Sequence, residues 1–290
     1  MTDGATAAHG STSAHGATAA HTDPSEVPLR PAATVMLVRD TPPRGMEVFM
    51  LQRTLRAAFA RGMYVFPGGR VDDADAAIEL EQYCVGLTDA EASALLQLPH
   101  GGLAYWVAAI RECFEEAGVL LARRVDAADF VAFDSPDVVT HFNELRTTVH
   151  DGTLALLQLC RDEHLVLAVD QIKYVSHWIT PVGEARRFDT RFFVARAPQD
   201  QTPLHDDNET IDSLWVDPNT ALQRARDGSL AMIPPTISNL EYLAQFDDAD
   251  DALAAAATIG TPPAILPRLR TDADGRVIGV ILPGDADYAR

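Results

Sequence analysis

A regular pattern of hydrophobic and polar positions begins near Pro31, after a stretch rich in Ala, Thr, Gly, Ser and His. Residues 32–39 and 47–53 are apolar runs with several β-branched or aromatic residues, which predicts two strands. The segment between them contains two prolines and a glycine, which favour a turn, so we expect the two strands to form a hairpin. A short strand is predicted over 63–66, and it ends at a Pro-Gly-Gly sequence, residues 67–69.

The strongest helical pattern spans residues 103–121. Apolar residues recur there at intervals of three and four, at Leu103, Trp106, Val107, Ile110, Phe114, Ala117 and Leu121. This spacing places them on one face of a helix, so we expect Trp106 and Phe114 to pack in the core. Gly118 supplies a stop signal near the end of the helix.

Weaker patterns predict the remaining elements. Helices are expected at 89–98, 136–148, 152–163 and 217–226, and strands at 177–180, 190–197, 211–216, 264–270 and 276–282. Ser238 and Glu241 have the spacing of a capping box, which predicts a further helix starting near 236–238. The acidic run 247–251 is typical of a solvated loop or a helix start.

Composition limits the function classes. The chain has 290 residues, a hydrophobic fraction of 47% and a formal net charge of −19. Residues 1–28 are low in complexity and predict a disordered tail. No apolar run reaches the ~18–20 residues that span a bilayer, and the acidic charge disfavours nucleic acid or an anionic membrane as a partner. The cysteines, Cys84, Cys113 and Cys160, lack zinc or redox spacing, and no targeting pattern is present, so we expect a cytoplasmic protein.

The candidate chemistry lies in the helix predicted over 103–121. Glu112, Glu115 and Glu116 share one side of that helix because they are three and four positions apart. Crowded carboxylates repel unless a cation lies among them, and oxygen ligands of this kind suit Mg²⁺ or Mn²⁺. Arg111, four positions before Glu115, can hold a carboxylate in place. Taken alone, an ordinary amphipathic helix with one Arg–Glu pair explains these residues equally well.

The Pro-Gly-Gly sequence makes the pattern more specific. Two glycines let the backbone turn sharply and bring a carbonyl close to a ligand. With the R-E-x-x-E-E-x-G sequence of the helix, this arrangement resembles the Nudix hydrolases, whose signature is G-x5-E-x7-R-E-U-x-E-E-x-G-U, where U is a bulky apolar residue. The matching positions are Gly69, Arg111, Glu112, Glu115, Glu116, Gly118 and Val119.

The signature is interrupted in this chain. Asp75 stands where the signature has its first Glu, and Cys113 takes the first apolar position. Between Asp75 and Arg111 there are 35 residues where the signature has seven. Because loop-closure entropy grows only logarithmically with length, such an insertion still lets the glycine turn and the helix meet in space.

The interruption itself resembles one branch of the family, the peroxisomal coenzyme A diphosphatases. Residues 51–53, 65–69 and 186–193 are also similar to that branch. The last three residues, Tyr-Ala-Arg, differ from a peroxisomal Ser-Lys-Leu signal, so the expectation of a cytoplasmic location is kept.

The resemblance implies a fold and a domain organisation. The expected fold is the Nudix-type α/β/α sandwich with a mixed sheet and a helical insertion inside the signature. One Nudix hydrolase domain is expected over 29–290, with the insertion at 75–102 and a C-terminal extension at 245–290. Nudix proteins often dimerise, so a homodimer is a further arrangement to test.

The resemblance also implies an activity, the metal-dependent hydrolysis of a diphosphate linkage in a small nucleotide-linked molecule. Coenzyme A or acyl-coenzyme A is the favoured substrate. The metal ligands would be the Gly69 carbonyl, Glu112, Glu115 and Glu116, with Mg²⁺ or Mn²⁺ as the cofactor. Glu112 is the expected general base, and Arg111 is expected to orient a carboxylate.

Three residues outside the helix complete the expected site. Glu209 precedes a predicted strand, in a loop where several Nudix enzymes carry a catalytic carboxylate. Arg53 and Arg70 lie near the glycine turn and are candidates for binding substrate phosphates.

Two alternatives stay open. ADP-ribose, NADH or dinucleoside polyphosphates are other Nudix substrates. A non-catalytic Nudix domain that senses a nucleotide is a different class of protein. Such domains usually lose their catalytic carboxylates, and the presence of Glu112, Glu115 and Glu116 favours an enzyme, whereas the Glu-to-Asp change at Asp75 favours the sensor.

Overall fold

A computed structural model describes residues 27–43, 45–57, 60–206 and 209–288 of the chain. The predicted tail, residues 1–28, lies outside the described residues except for Val27 and Pro28. None of the helices in the described ranges is long and apolar enough to cross a membrane.

The described residues form strands, α-helices and short 3₁₀ turns. The strands are β1 (Leu29–Asp40), β2 (Met46–Arg53), β3 (Tyr64–Val65), β4 (Gly68–Arg70), β5 (Ala122–Arg124), β6 (Leu165–Leu167), β7 (Lys173–Ile179), β8 (Arg187–Arg196), β9 (Thr210–Val216), β10 (Ala264–Ile265), β11 (Arg268–Thr271) and β12 (Val277–Ile281). The helices are α1 (Asp89–Leu96), α2 (Leu103–Ala117), α3 (Pro136–His150), α4 (Leu156–Asp162), α5 (Pro218–Arg226), α6 (Pro234–Leu243) and α7 (Ala249–Ala256). Short 3₁₀ turns lie at Asp73–Ala76, Ile78–Tyr83 and Val169–Gln171.

A mixed sheet forms the centre of the fold. Its strands follow the order β10-β7-β8-β1-β2-β3, while β4 pairs with β1 and β9 pairs with β2. The pairs β1–β8 and β10–β7 are parallel, and the other pairs in this sheet are antiparallel. Strands β1 and β2 form the hairpin that the sequence predicts, with Val38 opposite Val48.

The two faces of the sheet are covered by different helices. Ala33, Val35 and Leu37 of β1 lie in one buried cluster with the apolar face of α2. The alternate residues Met36 and Val38 lie in a second cluster with side chains of α5, α6 and α7. Side chains alternate across a strand, so one central strand serves both cores. The predicted α/β/α sandwich is confirmed.

Local glycine and proline chemistry explains where the elements begin and end. Helix α2 stops at Ala117, earlier than the predicted Leu121, because Gly118 adopts a left-handed conformation with φ of 67°. The capping box predicted at Ser238 and Glu241 is wrong. Helix α6 already begins at Pro234, since proline in a first turn is preorganised for a helix, and Ser238 therefore lies inside it.

The glycine turn also differs from its prediction. Gly68 and Gly69 belong to β4 and pair with Thr34 and Ala33 of β1. A Cβ at Gly68 would lie 2.5 Å from the Ala33 carbonyl oxygen, so this close strand approach requires glycine.

The predicted insertion, residues 75–102, and the described part of the predicted C-terminal extension, residues 245–288, both contain secondary structure. Residues 75–102 contain 3₁₀ turns and helix α1, and Leu80 of this segment is buried in the α2 core. Residues 245–288 contain α7 and strands β10 to β12. The predicted strand 264–270 is divided in two: β10 joins the main sheet, and β11 pairs antiparallel with β12.

Candidate active site

Strand β4 and helix α2 meet where the sequence expects the chemistry. The Gly68 N–H donates a 2.9 Å hydrogen bond to Glu116 Oε2. A Cβ on Gly69 would lie 2.5 Å from the carboxyl atoms of Glu112. The Gly69 backbone therefore lies directly against the α2 carboxylates, which explains why a residue without a side chain is needed there.

Arg111 organises the carboxylates. Its Nε and Nη2 donate to Asp75 Oδ1 and Oδ2 at 2.8 and 2.9 Å, a bidentate pair. Its Nη1 donates to Glu112 Oε1 at 2.9 Å and to Glu115 Oε1 at 3.1 Å. The Arg70 carbonyl oxygen accepts from Nη2 at 2.8 Å. One buried guanidinium thus joins the turn after β4 to the face of α2.

Asp75 is the buried counterpart of Arg111. The residue is only 3% exposed and lies in the 3₁₀ turn Asp73–Ala76. Its Oδ2 also accepts a 2.8 Å hydrogen bond from the Asp72 N–H, which closes the turn. The structure brings Asp75 to Arg111 across the inserted residues, so the shorter acidic side chain still reaches the arginine.

Arg53 lies between two of the predicted acidic site residues. Its Nη1 is 3.5 Å from Glu116 Oε1, and its Nη2 is 3.2 Å from Glu209 Oε2. Its buried Nε has no hydrogen-bond partner among the described residues. Arg53 therefore links the loop before β9 to α2 and retains a free donor.

Arg70, the other predicted phosphate-binding residue, lies at the edge of the site. Its side chain is 59% exposed and forms a 3.4 Å ion pair with Asp72. Such an exposed pair is worth little energy, so the guanidinium is available to exchange Asp72 for another anion.

The acidic groups of α2 are poorly solvated. Burial raises the pKa of all three α2 carboxyls. The charge of Glu112 raises the pKa of Glu116 further, and Arg53 opposes this effect. Burial would lower the pKa of Arg111, but its hydrogen bond to Asp75 and the charge of Glu112 raise that pKa above its usual range. The carboxylates therefore outnumber the positive charge available to them.

This donor set fits a hard divalent cation. Among the described residues no three acidic, imidazole or thiol groups converge on one point. Arg111 holds one oxygen each of Glu112 and Glu115, and Glu116 accepts from the Gly68 N–H. All the donors are nevertheless oxygens, and a cation would supply the charge that the buried carboxylates lack.

Two basic residues of α3 at the site escaped the sequence analysis. His150 Nδ1 lies 3.8 Å from Glu115 Oε2, and this nitrogen makes no hydrogen bond within the described part of the chain. Arg146 donates to the Glu115 and Glu116 carbonyl oxygens at 2.8 and 2.9 Å, which satisfies the C-terminal end of α2. Their positions depend on how α3 packs on α2, and no local pattern indicates this.

The carboxylates open into a cleft of about 900 Å³. Arginines line one part of it, namely Arg30, Arg53, Arg56, Arg70 and Arg186. A second part, the apolar arm, is lined by Trp178, Phe188, Phe192, Pro234, Pro267 and Val280. Charged and apolar residues thus line one cleft, and they meet where Arg30 of β1 pairs with Phe188 of β8.

Comparison with known proteins decides the family. A family model described as the NUDT19 Nudix domain matches residues 84–243. The chain belongs to this NUDT19 Nudix domain family. The match includes α2 with Arg111 and its glutamates, and it confirms the Nudix resemblance. Gly69 and Asp75 precede the matched range, so their place beside α2 rests on the geometry above.

Curated relatives share most of this chain. The acyl-coenzyme A diphosphatase NUDT19 of Gallus gallus is 28% identical over 302 residues, covering 89% of this chain and 79% of that protein. The protein of the same name from Homo sapiens is 26% identical over 292 residues, covering 89% and 76%. The putative nudix hydrolase 7 of Caenorhabditis elegans is 28% identical over 223 residues, covering 76% and 62%.

A solved structure shares the fold. A NUDIX hydrolase from Alicyclobacillus acidocaldarius superposes with a TM-score of 0.65 at 26% identity, covering 82% of this chain and all of that one. The prediction that this NUDT19 Nudix domain family member is a hydrolase of the Nudix type is therefore confirmed.

Proposed function

We propose that this protein is a metal-dependent diphosphatase of coenzyme A or acyl-coenzyme A. The observation that carries the proposal is the Arg111-centred carboxylate cluster, which lies against the β4 glycines at the polar end of the cleft. The vertebrate relatives called acyl-coenzyme A diphosphatases support the choice of substrate.

The α2 carboxylates and the Gly69 carbonyl would hold the cation, Mg²⁺ or Mn²⁺. The ion would neutralise diphosphate charge and polarise a phosphoryl oxygen. Glu116 is the leading ligand, because it lies deepest among the three acids and is anchored by the Gly68 N–H. Glu115 and Glu112 would complete the ligand set from the same face of the helix.

Proton transfer and positioning fall to neighbouring residues. We assign the general base to Glu112, whose Oε1 is held by Arg111 while its carboxyl group faces the cleft. Arg111 and Asp75 are positioning residues, since they fix the carboxylates and the turn after β4. Glu209, which is 54% exposed at its side chain and paired with Arg53, is a further acidic group of the cleft and a candidate for the catalytic step.

Substrate phosphates would be bound by the cleft arginines. The chain as a whole is strongly acidic, with a formal net charge of −19. Besides Arg111, the cleft is lined by Arg53, Arg70 and three further arginines. Guanidinium groups match phosphate oxygens in bidentate geometry, so these arginines and the cation together would balance a polyanionic substrate.

The decisive experiment measures product release by the purified protein. Coenzyme A, acyl-coenzyme A, ADP-ribose, NADH and diadenosine polyphosphates are each incubated with Mg²⁺, with Mn²⁺ or with a chelator. We expect coenzyme A to yield phosphopantetheine and 3′,5′-ADP only when a divalent cation is present. Glu116→Gln keeps the size of the side chain and an acceptor for Gly68, and it should lower kcat by at least about 100-fold.

Glu144→Gln, on the exposed side of α3, is the matched control and should leave turnover unchanged. Normal turnover by Glu116→Gln would overturn the site assignment. Cleavage of another substrate in the panel would keep the site and replace coenzyme A. Tight nucleotide binding without any cleavage would favour the sensor alternative.

Compartment, assembly and partner class belong to the same proposal. Within the described ranges Cys84, Cys113 and Cys160 are free thiols, which suits a reducing compartment such as the cytoplasm. Light scattering of the purified protein tests the proposed homodimer. The absence of a nucleic-acid partner is tested by titration with a DNA duplex and an RNA strand at low salt.

A further inference from the structure

We infer that the apolar arm of the cleft binds the S-acyl-pantetheine end of the substrate, and that the β11–β12 hairpin limits the length of the acyl chain. This inference rests on the proposed function and names the part of the substrate that each region of the cleft receives. It makes Val280 of the hairpin a specificity-determining residue.

The floor of the apolar arm is formed by neighbouring strands. Phe188 and Phe192 are four positions apart on β8, so their side chains lie on the same face of the sheet. This is the face that packs against α6. Trp178 of β7 lies opposite Thr190, which is between them on the same face. Arg30 of β1 pairs with Phe188 at one end of this floor, and the rings of Trp178 and Phe192 supply its apolar surface within the same cleft as the carboxylates.

The N-terminus of α6 forms one wall of the apolar arm, and its structure does not favour the binding of a phosphate. Its N-terminus begins with Pro234 and Pro235, which have no N–H to donate. The next two amides, of Thr236 and Ile237, donate to the Ile233 carbonyl oxygen at 3.0 and 3.2 Å. A helix N-terminus normally attracts anions through free N–H groups. This one presents proline rings instead, so it suits an uncharged, apolar group.

Trp178 provides one polar group within the apolar arm. The residue is only 3% exposed, and its buried Nε1 has no hydrogen-bond partner among the described residues. A buried donor without an acceptor is costly, so a ligand acceptor here would be favourable. The pantetheine amides and the thioester each carry an uncharged carbonyl oxygen that can accept from this indole.

The C-terminal hairpin closes the arm. Pro267 precedes β11, and Val280 lies on β12 opposite Leu269. Leu269 lies close to the loop after β7, where a Cβ on Gly183 would be 2.9 Å from Leu269 Cδ1. The Tyr288 hydroxyl donates a 2.7 Å hydrogen bond to the Leu266 carbonyl oxygen. The β10–β7 pairing and the approach of Leu269 to Gly183 place the hairpin beside the sheet, where Val280 forms a wall of the cleft.

The test enlarges this wall at one position. Val280→Trp is compared with Val277→Trp, which alters a valine of the same strand that is 55% exposed and does not line the cleft. For each protein, kcat/KM is measured with free coenzyme A and with dodecanoyl-coenzyme A. Val280→Trp should lower the ratio of dodecanoyl to free coenzyme A by at least about tenfold, as expected when about two methylene groups lose apolar burial.

Val277→Trp, which does not line the cleft, should leave both this ratio and kcat/KM for free coenzyme A unchanged. An unchanged ratio in Val280→Trp, or an equal fall in Val277→Trp, would overturn the inference. If Val280→Trp melts early, the pair Val280→Lys and Val277→Lys replaces it, because a charge in the apolar arm should lower the same ratio.

Failure of the proposed function gives a different result. In that case the wild type cleaves neither coenzyme A compound. The inference is then tested by calorimetry alone, as the affinity of the protein for S-dodecanoyl-pantetheine, which has no diphosphate. Binding that is weakened about tenfold by Val280→Trp and not by Val277→Trp supports the apolar arm as an acyl site. No binding, or equal binding by both variants, overturns it.

Discussion

Replacing Asp75 by Asn tests whether the inserted segment is tied to the site through Arg111. Asp75 accepts hydrogen bonds of 2.8 and 2.9 Å from Arg111 and one of 2.8 Å from the Asp72 N–H. An Asn side chain has one acceptor oxygen, and its NH₂ group would face a donor. The variant therefore loses the charge of the pair and leaves part of the guanidinium unpaired.

The loss of folding stability in Asp75→Asn depends on the hydrogen-bond partners that Arg111 retains. Removing one partner of a buried ion pair costs about 3–5 kcal/mol when the remaining charge is left alone. Arg111 retains Glu112, Glu115 and the Arg70 carbonyl oxygen, so we expect a smaller loss of about 1.5–3 kcal/mol, the range of hydrogen bonds to a charged group. At about 2–4 °C per kcal/mol for a domain of this size, Tm should fall by about 3–12 °C.

Thermal unfolding followed by circular dichroism measures this change. Asp73→Asn is the matched control, because Asp73 is an exposed acid in the same 3₁₀ turn. Its substitution should alter stability by less than about 0.5 kcal/mol. Equal Tm values for Asp75→Asn and Asp73→Asn would refute the view that Asp75 and Arg111 join the insertion to the site.

Two further predictions concern the glycine strand and pH. Gly69→Ala should lower kcat by about tenfold or more with little change in Tm, because its Cβ would displace the flexible carboxyl end of Glu112; unchanged kinetics would contradict this. Burial alone would raise the pKa of Asp189, but His177 and Arg191 lower it below its usual range. Because the pKa of Asp189 is lower in the folded state, its ionised carboxylate stabilises the fold above about pH 4. This stabilisation is lost as the pH falls through the lowered pKa. The Tm difference between wild type and Asp189→Asn should therefore be largest near neutral pH and shrink in acid, and a difference independent of pH would contradict the prediction.

Elements with strong local patterns were predictable. The apolar spacing of α2 indicated both the helix and the burial of Trp106 and Phe114, each at most 2% exposed. The β1–β2 hairpin was equally clear, since turn residues separated two apolar runs. The helix predicted over 217–226 is present as α5, and Asp217 caps it by accepting from the Thr220 N–H at 2.7 Å.

Elements whose boundaries depend on partners were not predictable. Strand β4 forms because β1 offers an edge at which Gly68 and Gly69 can pair, and the sequence alone indicated only a turn. The split of 264–270 into β10 and β11 depends on which neighbour each part finds, β7 for the first and β12 for the second. Hydrogen-bond partners distant in sequence decided both outcomes.

The sequence was sufficient to locate three glutamates and an arginine on one helix, and to indicate the family, because helix geometry fixes which neighbours share a face. It could not show that Asp75 would be the main partner of Arg111, or that His150 would lie beside Glu115. The apolar arm was equally hidden, since its lining comes from β7, β8, α6 and the C-terminal hairpin. Spacing along the chain carries no information about such contacts, which form only when separate elements bury their apolar faces against one sheet.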